Sequence, residues 1–229
     1  MSPFSASPFQ IVYRDALPHG ILIGVALPER VEDTDAYLTR LHPAEAAYAQ
    51  ELRGHRKMSF VGGRIAARAA IQSLGRDVGP LLSDPHGAPI LPVGVGMSIS
   101  HKRHLAVAMA SRVEQDTLGV DLETIQPSRM TVASHVLTEN ERADVDALPE
   151  SRRWTSVLLR FSLKESIYKA LAPKLVRFID FSEAEVSPDP DGTAAVKLLL
   201  REGAGPLRLD ARYIWVPDGV LTSVRARWS

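Results

Sequence analysis

The sequence predicts an α+β fold, and three observations carry that prediction. Four strand-like segments follow one another at the C-terminal end (181–186, 194–200, 207–214 and 219–226), a long helical pattern starts at Arg152, and strand-like alternation brackets a second helical region opened by Pro43. Taken in order, residues 11–27 alternate enough for strands, with 21–26 the better candidate. Pro43 then begins helix with a turn near Gly54 and a break around Gly62-Gly63, resuming to a C-cap at Gly75. Residues 80–96 hold seven Gly or Pro and predict a loop, within which Gly94-Val95-Gly96 reads as a turn or as a close approach of backbone to a ligand. Strands at 97–101 and 105–110 close an N-terminal half, 1–112. A C-terminal half, 113–229, opens with a strand at 118–123, continues through a helix at 139–147 and the long helix, and ends in the four strands.

Composition sets the bounds. At 229 residues and 45% hydrophobic content the chain buries a real core, as one domain or two small ones. Lys+Arg and Asp+Glu are equal at 27 each, so no global field points to nucleic acid or to a membrane surface. Cysteine is absent, which removes disulfides and thiolate metal sites and suits a reducing compartment. The first ten residues lack the n- and h-regions of a signal peptide, and no apolar run reaches the roughly 20 residues of a membrane span. A cytoplasmic, monomeric protein is expected.

Three segments carry chemistry. On the long helix, a 3.6-residue winding from Trp154 gathers Val157, Leu158, Phe161, Tyr168 and Ala172 on one stripe with Glu165 at its centre. A lone carboxylate buried there must protonate or find a cation. The candidates are a metal ion, Lys164 or Lys169; the plainer reading is a surface ion pair of Glu165 with Lys169, worth roughly 0.3 kcal/mol. In Leu118-Gly119-Val120-Asp121-Leu122-Glu123, alternation sends Val120 and Leu122 to one face and Asp121 and Glu123 to the other. Two carboxylates about 7 Å apart on one strand face suit a hard divalent cation, or else a solvated edge strand, the commoner meaning of such a triplet. Met97-Ser98-Ile99-Ser100-His101 ends a strand in a histidine, a residue able to bond phosphate or move a proton, and more often simply a structural hydrogen-bonder.

Ser98-Ile99-Ser100-His101, then Gly119-Val120-Asp121-Leu122-Glu123, then Phe161-Ser162-Leu163-Lys164-Glu165-Ser166-Ile167-Tyr168-Lys169-Ala170 resemble, in that order, the signatures of the 4'-phosphopantetheinyl transferases. Within them the chain resembles the larger Sfp-like class, nearest the branch exemplified by enterobactin synthetase component D. Arg56-Lys57-Met58-Ser59-Phe60-Val61-Gly62-Gly63-Arg64 resembles that branch's basic helix. The resemblance spans residues 53–172, half of the chain, and implies two similar halves related by a pseudo-twofold axis with coenzyme A between them. It implies Mg2+-assisted transfer of the phosphopantetheine arm to a serine of an acyl or peptidyl carrier protein, releasing adenosine 3',5'-bisphosphate.

By the same resemblance Asp121, Glu123 and Glu165 hold the metal, and Glu165 or a water it orients is the general base. Lys164 and Lys169 bind phosphate, Ser100 and His101 lie along the coenzyme A phosphates, and Arg56 and Arg64 grip the 3'-phosphate. Arg53 and Arg68 fit a solvated helix face. His86 stands where the branch commonly has a lysine, so a permanent charge is replaced by a titratable one. Arg129, Met130, Val132 and Val136, after Glu123, mix basic and apolar character in the way that suits an acidic carrier helix, or else form a plain connection. Two other readings stay open: a carrier-binding module without chemistry, and a Mg2+-dependent nucleotide hydrolase using the same acidic trio.

Overall fold

The computed structural model describes residues 7–83, 89–113 and 115–229, except for the side chains of 31–33. The chain divides into two units, Met1–Glu114 and Gln115–Ser229. Both are α+β, and among the described residues no helix is long and apolar enough to cross a membrane.

The first unit contains β1 (Ile11–Leu17), β2 (Gly20–Ala26), a 3-10 stretch at Val31–Arg40, α1 (Pro43–Glu51), α2 (Gly54–Ser73), β3 (Val95–Lys102) and β4 (Leu105–Arg112). Its four strands form an antiparallel sheet in the order β1-β2-β4-β3. Helix α2 covers one face, burying Val61, Ile65, Ala66 and Ala70 against Ile23, Val25, Ala106 and Ala108. The sequence suggests a break at Gly62-Gly63, yet α2 runs through both. A Cβ on Gly62 would lie 2.2 Å from Leu27 Cδ2 and 3.3 Å from Ala106 Cβ. These glycines let the helix approach the sheet, and that packing outweighs their poor helix propensity of about 1 kcal/mol each. At the helix end Gly75 takes φ +69°, the left-handed conformation expected of a residue that stops a helix.

The second unit contains β5 (Asp116–Thr124), a 3-10 turn at Met130–Val132, α3 (Ala133–Val136), α4 (Glu139–Asp146), α5 (Glu150–Leu175), a 3-10 turn at Phe181–Glu183, and β6 (Ala184–Pro188), β7 (Thr193–Leu198), β8 (Arg208–Val216) and β9 (Gly219–Arg227). The sheet order is β5-β9-β8-β7-β6, all antiparallel. Leu159, Leu163, Ile167 and Leu171 of α5 pack on Val186, Ala211, Val220 and Val224. The strand expected from residue 181 begins only at Ala184, because Asp180 accepts a 2.9 Å bond from the Ser182 amide and caps a helical turn first.

Helix α5 approaches strand β5 very closely. Gly119 permits it: a Cβ there would sit 1.8 Å from Ser166 O and 2.8 Å from Ala170 N. Around this point the interface is polar. Ser162 and Ser166 share the Thr222 hydroxyl at 3.0 and 2.6 Å, and Thr117 Oγ1 donates to Ala170 O at 2.5 Å. Small hydroxyl-bearing residues, one turn apart on the helix, thus meet a glycine on the strand.

A second device recurs three times. Glu45, Glu141 and Glu183 each occupy the third position of a helical turn and accept a bond from the capping residue's own amide, His42 N at 3.1 Å, Thr138 N at 2.8 Å and Asp180 N at 3.1 Å. Each is almost wholly buried. Each also accepts from a remote backbone amide, Leu81 N, Val186 N and Arg201 N respectively, at 2.7, 2.8 and 2.9 Å. A cation completes each set: Arg68, Lys164 and Arg177. In both units the helix-capping glutamate and its cation are separated by the same 23 residues. One turn ahead of those cations stand Arg64 and Arg160, both buried, both with an Nε that has no partner among the described residues, and both held below the ordinary arginine value chiefly by burial. The sequence shows no repeat; the structure shows one frame used twice.

Two tests follow from this packing. Replacing Gly119 by Ala forces backbone away from backbone, so the variant should lose at least 3 kcal/mol in denaturant unfolding, above the common range for overpacking; a loss under 1 kcal/mol would mean the strand can back off freely. Glu183 is held at about 2, mainly by the bidentate Arg177 bonds. Its unfolded form binds a proton near 4.5, so this carboxylate's contribution is present above that pH and is lost as pH falls toward 2. Glu183→Gln should therefore cost about 2 kcal/mol at pH 7, with the gap to wild type closing between pH 4.5 and 2 in urea titrations.

Candidate functional site

Strand β5 lies at the end of its sheet, yet its acidic residues do not face water. Asp121 and Glu123 are 3% and 8% exposed, which excludes the solvated-edge reading. Thr117, Gly119, Asp121 and Glu123 share one face by strand alternation, and Thr117 and Gly119 meet α5 directly. Asp121 is fixed there by two bonds. Ser162 Oγ donates to Oδ2 at 2.8 Å, and Lys169 Nζ donates to Oδ1 at 2.8 Å while also bonding Val120 O at 3.0 Å.

Glu165 falls one turn from both Ser162 and Lys169, on the helix face that carries them. It is half-buried, and it does not stand at the centre of an apolar stripe. The buried face of α5 includes Leu158, Leu159, Leu163, Ile167, Ala170 and Leu171. Of the residues grouped with Glu165 by the sequence, Val157 and Leu158 are buried, whereas Phe161, Tyr168 and Ala172 are half-buried.

Lys164 differs most from its sequence-based assignment. Its side chain is 1% exposed, and all three ammonium protons are used, toward Glu141 Oε2 at 2.6 Å, Val136 O at 2.8 Å and Phe181 O at 2.9 Å. Burial lowers its basicity and the Glu141 carboxylate partly restores it. With no proton left for a phosphate, Lys164 ties α3, α4 and the Phe181–Glu183 turn to α5. Val136 belongs to that tie as well, being buried with Ala133 and Val157, whereas Arg129 and Met130 are exposed.

Among the described residues, no three His, Asp or Glu side chains are gathered closely enough to hold a metal ion. Asp121 is drawn to the lysine, and the expected trio is not assembled into a cage. The donor chemistry nonetheless suits a hard cation. Mg2+ commonly takes only one or two carboxylates, completing its shell with water and substrate phosphate, and the Lys169 ammonium already sits as a positive charge on Asp121.

In the first unit, Arg56 is exposed on α2 and His101 is exposed at the end of β3, while Ser100 is buried beside it. The His101 ring lies 6.1 Å from that of His55, whose Nδ1 is 3.1 Å from Ser59 Oγ. His55 went unnoticed in the sequence, although it directly precedes Arg56. Arg64 is buried over the Phe60 ring at 4.5 Å, and its Nη2 donates to Ser83 Oγ at 2.8 Å. Its orphaned Nε recurs at Arg160, so the orphan is a property of the shared frame and does not by itself mark a ligand. Arg68 is not on a solvated face; it bonds Glu45 and the carbonyls of Val78 and Gly79. His86 lies outside the described residues.

Sequence comparison decides the family. A family model described as the 4'-phosphopantetheinyl transferase superfamily matches residues 117–219, and one for the 4'-phosphopantetheinyl transferase N-terminal domain matches residues 44–111. The chain belongs to this superfamily. It is 36% identical to the 4'-phosphopantetheinyl transferase Svp of Streptomyces mobaraensis over 72% of this chain and 69% of that one. It is 28% identical to the transferase PptT of Mycobacterium tuberculosis over 92% and 93%, and 35% identical to enterobactin synthase component D of Salmonella typhimurium over 58% and 55%. A solved holo-(acyl-carrier-protein) synthase from Bacillus anthracis, in complex with CoA (3',5'-ADP), is similar at a TM-score of 0.40 and 21% identity, over 49% of this chain and 96% of that chain.

Since Lys164 holds the interior of this transferase, Lys164→Met should leave Glu141 buried without its cation and cost roughly 3–5 kcal/mol. The KM for coenzyme A, measured on the folded fraction, should stay at the wild-type value; a selective rise in KM with unchanged stability would return Lys164 to the phosphates.

Proposed function

We propose that this chain moves the 4'-phosphopantetheine arm of coenzyme A onto a serine hydroxyl of an acyl or peptidyl carrier protein and releases adenosine 3',5'-bisphosphate, with Mg2+ assistance. Family membership sets the reaction class. The observation that carries the site is Asp121, buried on the helix-facing side of β5 between Ser162 and Lys169, with Glu123 on the same strand face and Glu165 on the facing helix.

Asp121 and Glu123 would hold the cation, with Glu165 completing the protein's share. When bound, the ion neutralises charge on the phosphates and orients them for in-line displacement. Glu165, which is half-buried, or a water that it orients, would accept the serine proton as the Oγ–P bond forms. The bond from that phosphorus to the leaving nucleotide phosphate breaks in the same displacement. Lys169 offers positive charge to the phosphates. Arg56 and His101, both exposed in the first unit, would take further phosphate oxygens, with Ser100 behind His101 and with Arg64 held rigid over Phe60.

The reading is tested by substitution. Asp121→Asn and Glu165→Gln keep volume and fold while removing charge, and Glu165→Gln also removes the proton acceptor. Turnover should fall by about 10²-fold or more in each, read as mass added to a carrier protein. Near-wild-type transfer by Glu165→Gln at saturating Mg2+ would remove it from the chemistry. Nucleotide released from coenzyme A without any carrier present would instead identify a hydrolase.

A further inference from the structure

Two of the groups that hold Asp121 differ in how tightly they are themselves held. Ser162, on Oδ2, is wholly buried and locked to Thr222 by a second bond, so it cannot leave without opening the α5–β5 interface. Lys169, on Oδ1, has a side chain one-quarter exposed and comes from the solvent side of the same helix face. Its other bond, to Val120 O, is to an ordinary strand carbonyl. Of these two groups the charged one is the more exposed.

We propose that the Lys169 ammonium is a resident substitute for the divalent cation, exchanged off Asp121 Oδ1 when the cation binds and thereby released toward the phosphate that arrives with it. The inference rests on the reading of Asp121 as a cation-binding carboxylate. An ammonium at 2.8 Å and a hard divalent ion at about 2.1 Å cannot share one carboxylate oxygen without strong like-charge repulsion. A buried carboxylate, for its part, is costly to keep ionised with no cation beside it. Exchange satisfies both demands. It has a thermodynamic corollary. The cation alone must displace the lysine and leave its charge unplaced; a phosphate gives that charge a new partner. Cation and phosphate ligand should bind cooperatively, each strengthening the other by the same factor.

The test uses Mn2+ as the probe, with free Mn2+ counted by electron paramagnetic resonance in the absence of coenzyme A. Lys169→Met, which removes the competing charge, should bind Mn2+ at least ten-fold more tightly than wild type, while Lys169→Arg, which keeps a competing cation, should not. Should the Met variant fail to give a cooperative melt, Lys169→Gln serves in its place. Mn2+ affinity in the charge-removed variant equal to or weaker than wild type overturns the exchange. Asp121→Asn separates the two levels of the argument. If it binds Mn2+ as wild type does, the cation reading itself fails and takes the exchange with it; if it abolishes binding while Lys169→Met leaves affinity unchanged, the exchange alone fails.

Discussion

The contact on which the second unit depends is the near-collision of helix α5 with strand β5. A helix and a strand ordinarily meet through side chains, and here one of them is missing: Gly119 lets the Ser166 carbonyl and the Ala170 amide approach the strand backbone itself. Everything polar in the neighbourhood follows from that closeness. Small residues line it, Ser162, Ser166 and Ala170 on the helix and Thr222 on the neighbouring strand, and three of them carry hydroxyls. Those hydroxyls make a hydrogen-bonding lining in which a buried Asp121 is tolerable, since a lone carboxylate in an apolar core would pay several kcal/mol for desolvation. Two residues beyond Gly119, the strand's alternation delivers that carboxylate to the helix face bearing Lys169 and Glu165.

Buried charge is used in two different ways, and the distinction separates scaffold from site. Glu45, Glu141 and Glu183 are saturated: each accepts from a capping amide, a remote strand or loop amide and a cation, so none has spare capacity. Their ion pairs fix the register of elements far apart in sequence more than they add stability, because desolvation offsets much of the Coulomb gain. Asp121 shares the burial but not the rigidity. Of the groups that hold it, Ser162 is locked in the interface and Lys169 is one-quarter exposed.

Much of the architecture was legible in the sequence because it is written locally. Local patterning marked strands at 97–101, 105–110 and 118–123 and four more between 181 and 226, and a helix at 139–147, close to β3, β4, β5, α4 and β6 to β9. The misreadings share a cause, which is information carried by distant partners. Gly62 and Gly63 suggest a break, yet Leu27 and Ala106 lie where a side chain on Gly62 would go and Ile99 lies beside Gly63. Lys164 suggests a phosphate ligand until Glu141, 23 residues earlier, is found beneath it. Glu165 seemed central to an apolar stripe because one flank of α5 is moderately apolar, whereas the burial that defines the true core depends on which side the sheet covers. Asp121 and Glu123 were legible as a pair, but only the edge position of β5 combined with their burial distinguishes a site from a wet strand.

The shared frame of the two units has an implication for how chemistry came to occupy one of them. Aligning Arg68 with Lys164 sets Ala69 against Glu165 and Ser73 against Lys169. Ser73 merely donates to the Ala69 carbonyl and accepts from Arg14, so the helix of the first unit presents inert groups where that of the second presents an acid and a base. The glutamate-and-cation pair that holds each frame lies upstream of these positions and is indifferent to what stands there. A frame held together by groups that lie elsewhere leaves the stripe beyond it open to different residues in the two units.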